Sequence, residues 1–257
     1  MQNELLNMIT PNWPAPSHVK SLQTTRVGGF SIAPFNSLNL AMHVQDSPLA
    51  VAKNRQQLAA YLPSEPVWVN QVHGVEAIDA AQSTCLQNAD ASFTTQKNVV
   101  CVTMTADCLP ILLCDVSGTA VAAVHAGWRG LCDGVIEETV RKIPVQPNVL
   151  MAWLGPAIGP NAFEVGGEVR QQFIDKDKNA ANAFKPVDTE GVAKPSADKW
   201  LGDLYLIAQQ RLKALGVTHI YGGGISDDFC TYTDEQRFFS FRRDNQTGRM
   251  ASLIWLT

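Results

Sequence analysis

The chain has 257 residues, of which 46% are hydrophobic and 17% are charged. A chain of this length can bury a sizeable core, and since it has no internal repeat and no long Pro/Gly/Ser-rich linker, we expect one domain over residues 1–257. The net charge of −4, without a polybasic stripe, argues against nucleic-acid binding. No apolar run approaches a membrane span, and the first residues lack the pattern of a secretory signal, so we expect a soluble protein located in the cytoplasm. The oligomeric state does not follow from these features.

Cysteine usage agrees with that location. In a reducing cytoplasm the six cysteines are expected to be free thiols, most of them behaving as small hydrophobic residues. They lie at positions 85, 101, 108, 114, 132 and 230.

In chain order, apolar runs bounded by turn residues predict buried strands. These runs cover residues 67–69, 98–105, 111–114, 120–124 and 150–154. Amphipathic helices are predicted at 133–142 and at 201–215, the second ended by Gly216. Residues 220–224 begin a further strand and turn, and the polar segment 175–199 is expected to be irregular. Strands and helices therefore interleave without the strict alternation of a doubly wound sheet.

Three stretches share one arrangement: an apolar strand, a potential metal ligand and a turn. They place His73 in NQVHG, Cys108 in TADCLP and His125 in VHAGWRG. Each residue alone has an ordinary explanation, as a hydrogen-bonded histidine or a packed cysteine. Together, two imidazoles and a thiolate suit zinc at about 2.0–2.3 Å, and three protein ligands leave a position for water, as in catalytic sites. Gly127 and Gly130 are expected to let the chain turn beside His125.

Longer motifs around these residues resemble the laccase-domain family, also called multicopper polyphenol oxidase-like proteins. The matching stretches are TTRVGGFSIAPFNSLNLAMHVQDSP (24–48), NQVHG (70–74), TADCLPILL (105–113), AVHAGWRG (123–130), LGPAIGP (154–160) and DDFCTYTDEQRFFSFRRDNQTGRMAS (227–252). The family is associated with purine nucleoside phosphorylase activity and includes a peptidoglycan editing factor. Ala41 and Gln45 depart from it, because relatives often have glycine there, which affects loop shape more than chemistry.

The resemblance implies an α+β fold in a single domain, with mixed sheets and flanking helices. That fold is similar to the cysteine-hydrolase-like fold of a deamidase toxin domain. It also implies one catalytic zinc held by His73, Cys108 and His125. The implied reactions are phosphorolysis of adenosine, inosine, guanosine and methylthioadenosine, and deamination of adenosine. The implied partners are purine nucleosides and phosphate.

These reactions need further groups. Phosphorolysis requires an anion contact, ideally an arginine. Arg26 beside Gly28-Gly29 is the first candidate, His43 the second, and Arg242 or Arg243 the third, although each arginine could equally be an ordinary loop or ion-paired residue.

Other candidates follow from position along the chain. Asn70 and Gln71 could read a base edge or satisfy the backbone at a strand end. Asp107 is a candidate catalytic residue, and since its side chain should point away from that of Cys108 on an extended strand, it could instead support a histidine. Trp128 could form a wall for a flat base or belong to the core, and Arg129 could contact an anion or form a surface ion pair.

Three alternatives remain open. A copper-dependent polyphenol oxidase would need a multicopper cluster that five scattered histidines cannot supply, but one copper with Met104 as axial ligand is chemically feasible. A metal-free enzyme could use Cys108 as nucleophile, with His125 as base and His73 assisting, in an amidase that edits peptidoglycan precursors. A non-catalytic binding protein has no supporting extension or tail.

Overall fold

The computed structural model describes residues 6–83, 86–187, 198–224 and 229–257. The strands are β1 (Met8–Ile9), β2 (Val19–Thr24), β3 (Ala77–Asp79), β4 (Ala91–Thr94), β5 (Cys101–Thr105), β6 (Leu109–Asp115), β7 (Val121–Ala126), β8 (Leu150–Leu154), β9 (Glu164–Gly166), β10 (Phe184–Pro186), β11 (Lys199–Gly202), β12 (His219–Gly222) and β13 (Met250–Leu256). The helices are α1 (Pro48–Ala59), α2 (Trp128–Asp133), α3 (Val135–Lys142), α4 (Gly167–Lys176), α5 (Leu204–Ala214) and α6 (Phe241–Asp244), with 3-10 turns at Pro147–Val149 and Lys178–Ala183.

These strands form three sheets. The six-stranded sheet has the order β12-β8-β6-β7-β4-β3 and is mixed, with a parallel pair at each edge and antiparallel pairs in the centre. The four-stranded sheet, β1-β2-β13-β5, is antiparallel throughout. A three-stranded sheet has the order β10-β11-β9. The expected α+β class with mixed sheets and flanking helices is therefore confirmed, whereas the relation to a deamidase toxin stays a prediction.

The two larger sheets pack face to face because their strands alternate apolar residues between two layers. On β6, Leu112 and Cys114 meet Met250 and Ile254 of β13 between the sheets. The neighbouring residues on β6, such as Leu113, point to the other face and pack under α3 and α5. Since successive side chains of a strand point to opposite faces, a strand covered on both sides must be apolar at every position. This explains why β6 and β7 are buried throughout.

A glycine divides the helical segment after β7 into two. Gly134 adopts φ 106°, a left-handed conformation that ends α2 and from which α3 starts. Helix α3 then buries Val135, Ile136 and Val140 on one side. The predicted helix 133–142 is confirmed with a later start, but α2 was not predicted, because a six-residue helix is too short to show an apolar period.

Several other predicted elements are confirmed. Strands occur within or around the predicted segments 98–105, 111–114, 120–124 and 150–154, and β12 covers the start of 220–224. The predicted helix 201–215 corresponds to α5, which begins at Leu204 because residues up to Gly202 belong to β11 and Asp203 caps the helix by accepting the Leu206 N–H.

Two predictions were wrong. Residues 67–69 form no strand, since the Trp68 N–H donates locally to the carbonyl oxygen of Pro66 rather than to a neighbouring strand. The segment 175–199 is not irregular throughout, because it contains the end of α4, a 3-10 turn, β10 and the first residue of β11. Residues 188–197 of that segment lie outside the described residues.

The cysteines of the described chain are free thiols, while Cys85 lies outside it. Among the described residues, no helix has the length and apolar character needed to cross a membrane.

Candidate metal centre

His73, Cys108 and His125 come from three separate places in the fold. His125 is buried near the end of β7, Cys108 lies in the connection between β5 and β6, and His73 lies in the loop before β3. Their potential ligand atoms all lie within 4.8 Å of one another. The His73 Nε2 to Cys108 Sγ distance is 3.8 Å, and the two imidazole rings are 4.8 Å apart at 74°. The fold therefore assembles donors that are distant in sequence.

Asp90 organises this cluster. Its Oδ1 accepts hydrogen bonds from the backbone N–H of His73 at 2.9 Å and from Nδ1 of His125 at 2.8 Å. Its Oδ2 accepts the N–H groups of Val72 and Gly74 at 3.2 and 2.6 Å. Because Nδ1 of His125 donates to a carboxylate, Nε2 is the ring nitrogen that would release its proton and bind a metal. The buried carboxylate of Asp90 thus fixes the tautomer of His125 and holds the loop that carries His73.

Asp90 takes the position that the sequence analysis suggested for Asp107. Asp107 Oδ1 accepts the Thr231 hydroxyl hydrogen at 2.6 Å, and Oδ2 accepts the backbone N–H of Arg242 at 2.6 Å. Its carboxylate therefore holds the start of α6 and supports no histidine. A direct catalytic role for Asp107 stays a prediction.

The electrostatics of the cluster favour a thiolate. Burial alone would raise the pKa of the Cys108 thiol, but the nearby imidazoles of His125 and His73 outweigh it and lower this pKa to about 6. Burial would likewise lower the pKa of His125, yet Cys108 and Asp90 raise it to about 9. By contrast, burial raises the pKa of Cys114 to about 12. Cys108 is therefore the thiol that carries the charge required for metal binding at neutral pH.

The donor set fits a metal such as zinc. Two imidazoles and one thiolate converge from a preformed scaffold, and a carboxylate supports one of the histidines. A metal that binds here would displace the proton that the raised pKa of His125 keeps on its ring. Among the described residues, no second group of three or more such donors occurs. The described part of the chain therefore offers one such group of donors.

Gly127 leaves the space between the donors open. A Cβ atom at this position would lie 2.8 Å from Cδ2 of His73 and 3.1 Å from Sγ of Cys108. The φ of Gly127 is −64°, a value that any residue can adopt. Glycine is therefore needed at this position because a larger residue lacks space, and not because of the turn that the sequence analysis expected. A Cβ at Gly130 would lie 2.5 Å from the carbonyl oxygen of Gly74, which is too close. Because glycine has no Cβ, α2 can approach the loop that carries His73.

Two cavities meet at the cluster. His73, Ala106, Cys108 and Phe241 line both of them. We call the first, of about 200 Å³, the polar chamber; it is also lined by His43, Gln71, Met104, Thr105, His125 and Arg249. We call the second, of about 270 Å³, the aromatic chamber; it is also lined by Trp128, Arg129, Phe163, Arg242, Asp107 and Leu204. A ligand spanning both chambers would pass directly beside the candidate metal ligands.

The predicted substrate contacts divide into two groups. His43 and Gln71 line the polar chamber, and Arg242 lines the aromatic chamber. The amide of Gln71 is largely occupied, because it donates to the carbonyl oxygen of Met104 at 2.8 Å and accepts the N–H of the same residue at 2.7 Å. Asn70 lines neither chamber and donates to the Asn88 side chain. The Gln71 side chain thus satisfies backbone groups, which is one of the two roles that the sequence analysis left open for it.

Arg26 does not reach either chamber. It donates to the carbonyl oxygens of Asn36 and Glu235, stacks on Phe239 with its guanidinium carbon 4.7 Å from the ring centre, and lies in a separate cleft. The structure therefore does not bring Arg26 to the candidate metal centre, and a phosphate contact by Arg26 stays a prediction. Arg243 is also committed elsewhere, to the Asp244 carboxylate and to backbone carbonyls.

Sequence reasoning missed three groups at the centre: Asp90, Arg249 and Phe241. Arg249 lines the polar chamber from the segment just before β13, and Phe241 lies between the two chambers at the start of α6. Asp90 is far in sequence from His125, and an arginine in a polar loop is unremarkable. Phe241 and Arg249 lie within the family-matching stretch 227–252, which was the available signal, whereas Asp90 lies in none of the matching stretches and only the fold could identify it.

Fold and site together define an α+β protein with one candidate metal centre, among its described residues, where two chambers meet. The family model described as multi-copper polyphenol oxidoreductase laccase matches residues 20–257, and the chain belongs to this family. The resemblance seen in its motifs is thereby confirmed.

Similar proteins carry a second description. A Pseudomonas aeruginosa protein named purine nucleoside phosphorylase is 52% identical over 248 residues, covering 96% of this chain and 98% of the relative. Escherichia coli purine nucleoside phosphorylase YfiH is 50% identical over 252 residues, covering 97% of this chain and 98% of the relative. A crystal structure of a Neisseria meningitidis protein superposes with a TM-score of 0.90 at 46% identity, covering 97% of this chain and 99% of that chain. The names of the relatives support an enzyme.

Proposed function

We propose that this chain is a zinc-dependent purine nucleoside phosphorylase that also deaminates adenosine. The observation that carries the proposal is the His73–Cys108–His125 cluster, held by Asp90, at the junction of the polar and aromatic chambers. The names of relatives about half identical in sequence support the phosphorylase part. The proposed substrates are adenosine, inosine, guanosine and methylthioadenosine, together with phosphate.

The aromatic chamber is the place proposed for the nucleoside. Trp128 and Phe163 offer flat apolar surfaces to a purine, and stacking on an aromatic side chain contributes about 1–3 kcal/mol per base. Arg242 also lines this chamber, while its Nη1 donates to the carbonyl oxygen of Glu164 at 2.8 Å. A base held here would place the ribose close to the neck formed by His73 and Cys108.

Two reactions are proposed: phosphorolysis, with the ribose beside His73 and Cys108, and deamination, which requires the nucleoside to bind with C6 of its base there instead. In phosphorolysis, a phosphate oxygen bonds to C1′ as the C1′–N9 bond breaks, and the base takes the electron pair and a proton, leaving ribose 1-phosphate and the free purine. In deamination, water replaces the C6 amino group of adenosine, giving inosine and ammonia. When bound, zinc supplies Lewis acidity and acidifies water near neutral pH. His73, Cys108 and His125 would hold it, with Asp90 keeping the proton on Nδ1 of His125.

Metal analysis and substrate assays test the proposal. Protein purified without added copper should contain about one zinc per chain, and hypoxanthine release from inosine should rise with phosphate concentration. Conversion of adenosine to inosine should need only water. Phosphate-independent hypoxanthine release would instead indicate a hydrolase, and a stoichiometric complement of several coppers would overturn the zinc assignment in favour of polyphenol oxidation.

One observation favours a second candidate, a metal-free amidase acting on peptidoglycan precursors. Cys108, His125 and Asp90 have the connectivity of a nucleophile, a base and an orienting carboxylate. This hypothesis predicts full amidase activity in rigorously metal-free protein and loss of activity on alkylation of Cys108, whereas the zinc proposal predicts that metal removal abolishes activity.

A further inference from the structure

Arg249 is a half-buried cation in the polar chamber with no carboxylate partner. Its Nη1 donates to the carbonyl oxygens of Thr247 and Gly248 at 2.9 and 3.0 Å, and its guanidinium carbon lies 5.7 Å from the centre of the Phe241 ring. No ion pair of Arg249 occurs within the described residues. These contacts fix the guanidinium in place while Nε and Nη2 stay available to an external acceptor.

The negative groups near Arg249 are committed elsewhere. Burial lowers the pKa of Arg249, and the charges of Cys108 and Asp107 offset this only partly. Cys108 belongs to the candidate metal cluster, and both oxygens of Asp107 already accept hydrogen bonds. Removing a cation from water is costly unless an opposite charge approaches it. Arg249 therefore lacks a dedicated anion within the described chain.

Two uncharged donors share the chamber with this arginine. Burial, followed by the charges of Arg249 and Arg55, lowers the pKa of His43, so its ring is neutral near pH 7 and one ring nitrogen carries a proton. The Thr105 hydroxyl is buried, with 1% of the residue exposed, and has no partner within the described residues. Within the described part of the chain, no aspartate or glutamate lines the polar chamber. A guanidinium, an imidazole and a hydroxyl without a competing carboxylate are typical of an oxyanion site.

We propose that the polar chamber binds inorganic phosphate, with Arg249 as its charged contact and His43 and Thr105 as further donors. This assignment rests on the proposed function, because it makes the anion the second substrate of nucleoside cleavage. The chamber is adjoined by an outer cleft, of about 390 Å³, that is also lined by His43 and Arg249. Phosphate therefore has a route that avoids the aromatic chamber, and it approaches C1′ of the nucleoside from the side of the neck opposite to the base.

Arginine variants test the phosphate site directly. The measurements are the dissociation constant of inorganic phosphate by calorimetry on the zinc-loaded protein and the KM for phosphate in inosine cleavage. Arg249→Gln should weaken both by about tenfold to hundredfold, as expected for the loss of a charge-assisted contact. Arg249→Lys should restore part of the affinity, since it keeps the charge but loses the planar fork.

Arg26→Gln is the matched control. Arg26 also donates to two backbone carbonyls and stacks on a phenylalanine, but it lies outside the polar chamber. Its replacement should leave the affinity for phosphate unchanged. A loss of phosphate binding in Arg26→Gln but not in Arg249→Gln would move the anion site to the Arg26 cleft and overturn the inference.

A second variant covers the case in which Arg249→Gln does not fold. Thr105→Val keeps the shape of a buried β-branched residue and removes only the unpartnered hydroxyl, so it should weaken phosphate binding about threefold to tenfold. Unchanged phosphate affinity in every folded variant of Arg249 and Thr105 would refute the inference even if inosine is cleaved by phosphate. Phosphate binding that depends on Arg249, without any cleavage of inosine, would support the inference and refute the proposed function.

Discussion

Replacing Asp90 by asparagine keeps the shape of the buried side chain but removes its charge. Each carboxylate oxygen accepts two hydrogen bonds: Oδ1 from His73 N–H and His125 Nδ1, and Oδ2 from the N–H groups of Val72 and Gly74. Whichever way the amide is oriented, its NH2 group must replace one of these oxygens. Two of the four hydrogen bonds are lost if the NH2 group faces Val72 and Gly74, whereas the bond to His73 is lost and the bond to His125 is reversed if it faces those two residues.

The expected cost follows from the hydrogen bonds that are lost. A buried polar group left unsatisfied costs about 1–3 kcal/mol, so Asp90→Asn, which leaves one or two such groups, should lower the free energy of unfolding by about 1–6 kcal/mol. If the NH2 group faces His125, Nδ1 must accept a hydrogen bond and the proton moves to Nε2, the atom that a metal needs. Loss of a supporting carboxylate typically reduces metal affinity about tenfold to hundredfold. We expect a loss of zinc affinity in that range.

Urea unfolding measures the stability, and competition with a chromophoric chelator measures the zinc affinity. Asp115→Asn is the matched control, because Asp115 is 3% exposed and accepts backbone N–H bonds from Ser117, Thr119 and Ala120, away from both chambers. It should lower stability but leave zinc affinity unchanged. Wild-type zinc affinity in Asp90→Asn, or an equal loss in both variants, would refute the role assigned to Asp90.

Three further predictions concern the cluster and its chambers. Gly127→Ala places a methyl group 2.8 Å from Cδ2 of His73, so it should lower the affinity for zinc with little loss of helicity. An unaltered zinc content in a metal titration would show that a methyl group fits between the donors. In metal-free protein, Cys108 should react with iodoacetamide at half its maximal rate near pH 6, because the thiolate is lost as the pH falls through its lowered pKa. Added zinc should protect Cys108 from the reagent, and mass spectrometry shows which cysteine is labelled. A midpoint near pH 9 would rule out the ion pair with His125. Trp128→Leu should raise the KM for inosine about tenfold through lost stacking, and an unchanged KM would place the base elsewhere.

The sequence alone predicted the candidate ligand triad and the family. His73, Cys108 and His125 stand out because each follows an apolar run and precedes a turn, a pattern visible within ten residues. Central strands such as β6, β7 and β8 are equally visible, because burial on both faces requires an uninterrupted apolar run. These features depend on residues that are close together along the chain, so they can be recognised from the sequence.

Only the tertiary structure decided what surrounds the triad. Asp90 contacts His125 across 35 positions of sequence, and Arg249, near the far end of the chain, lines the same chamber as Cys108. Arg26 looked like the better anion contact because glycines follow it, yet the fold turns it towards Asn36 and Glu235. A carboxylate or guanidinium carries no local signature of the cavity it faces, since that depends on which strands become neighbours in the sheets. The pairing of β4 with β7 brings Asp90 to His125, and no short sequence motif contains both residues.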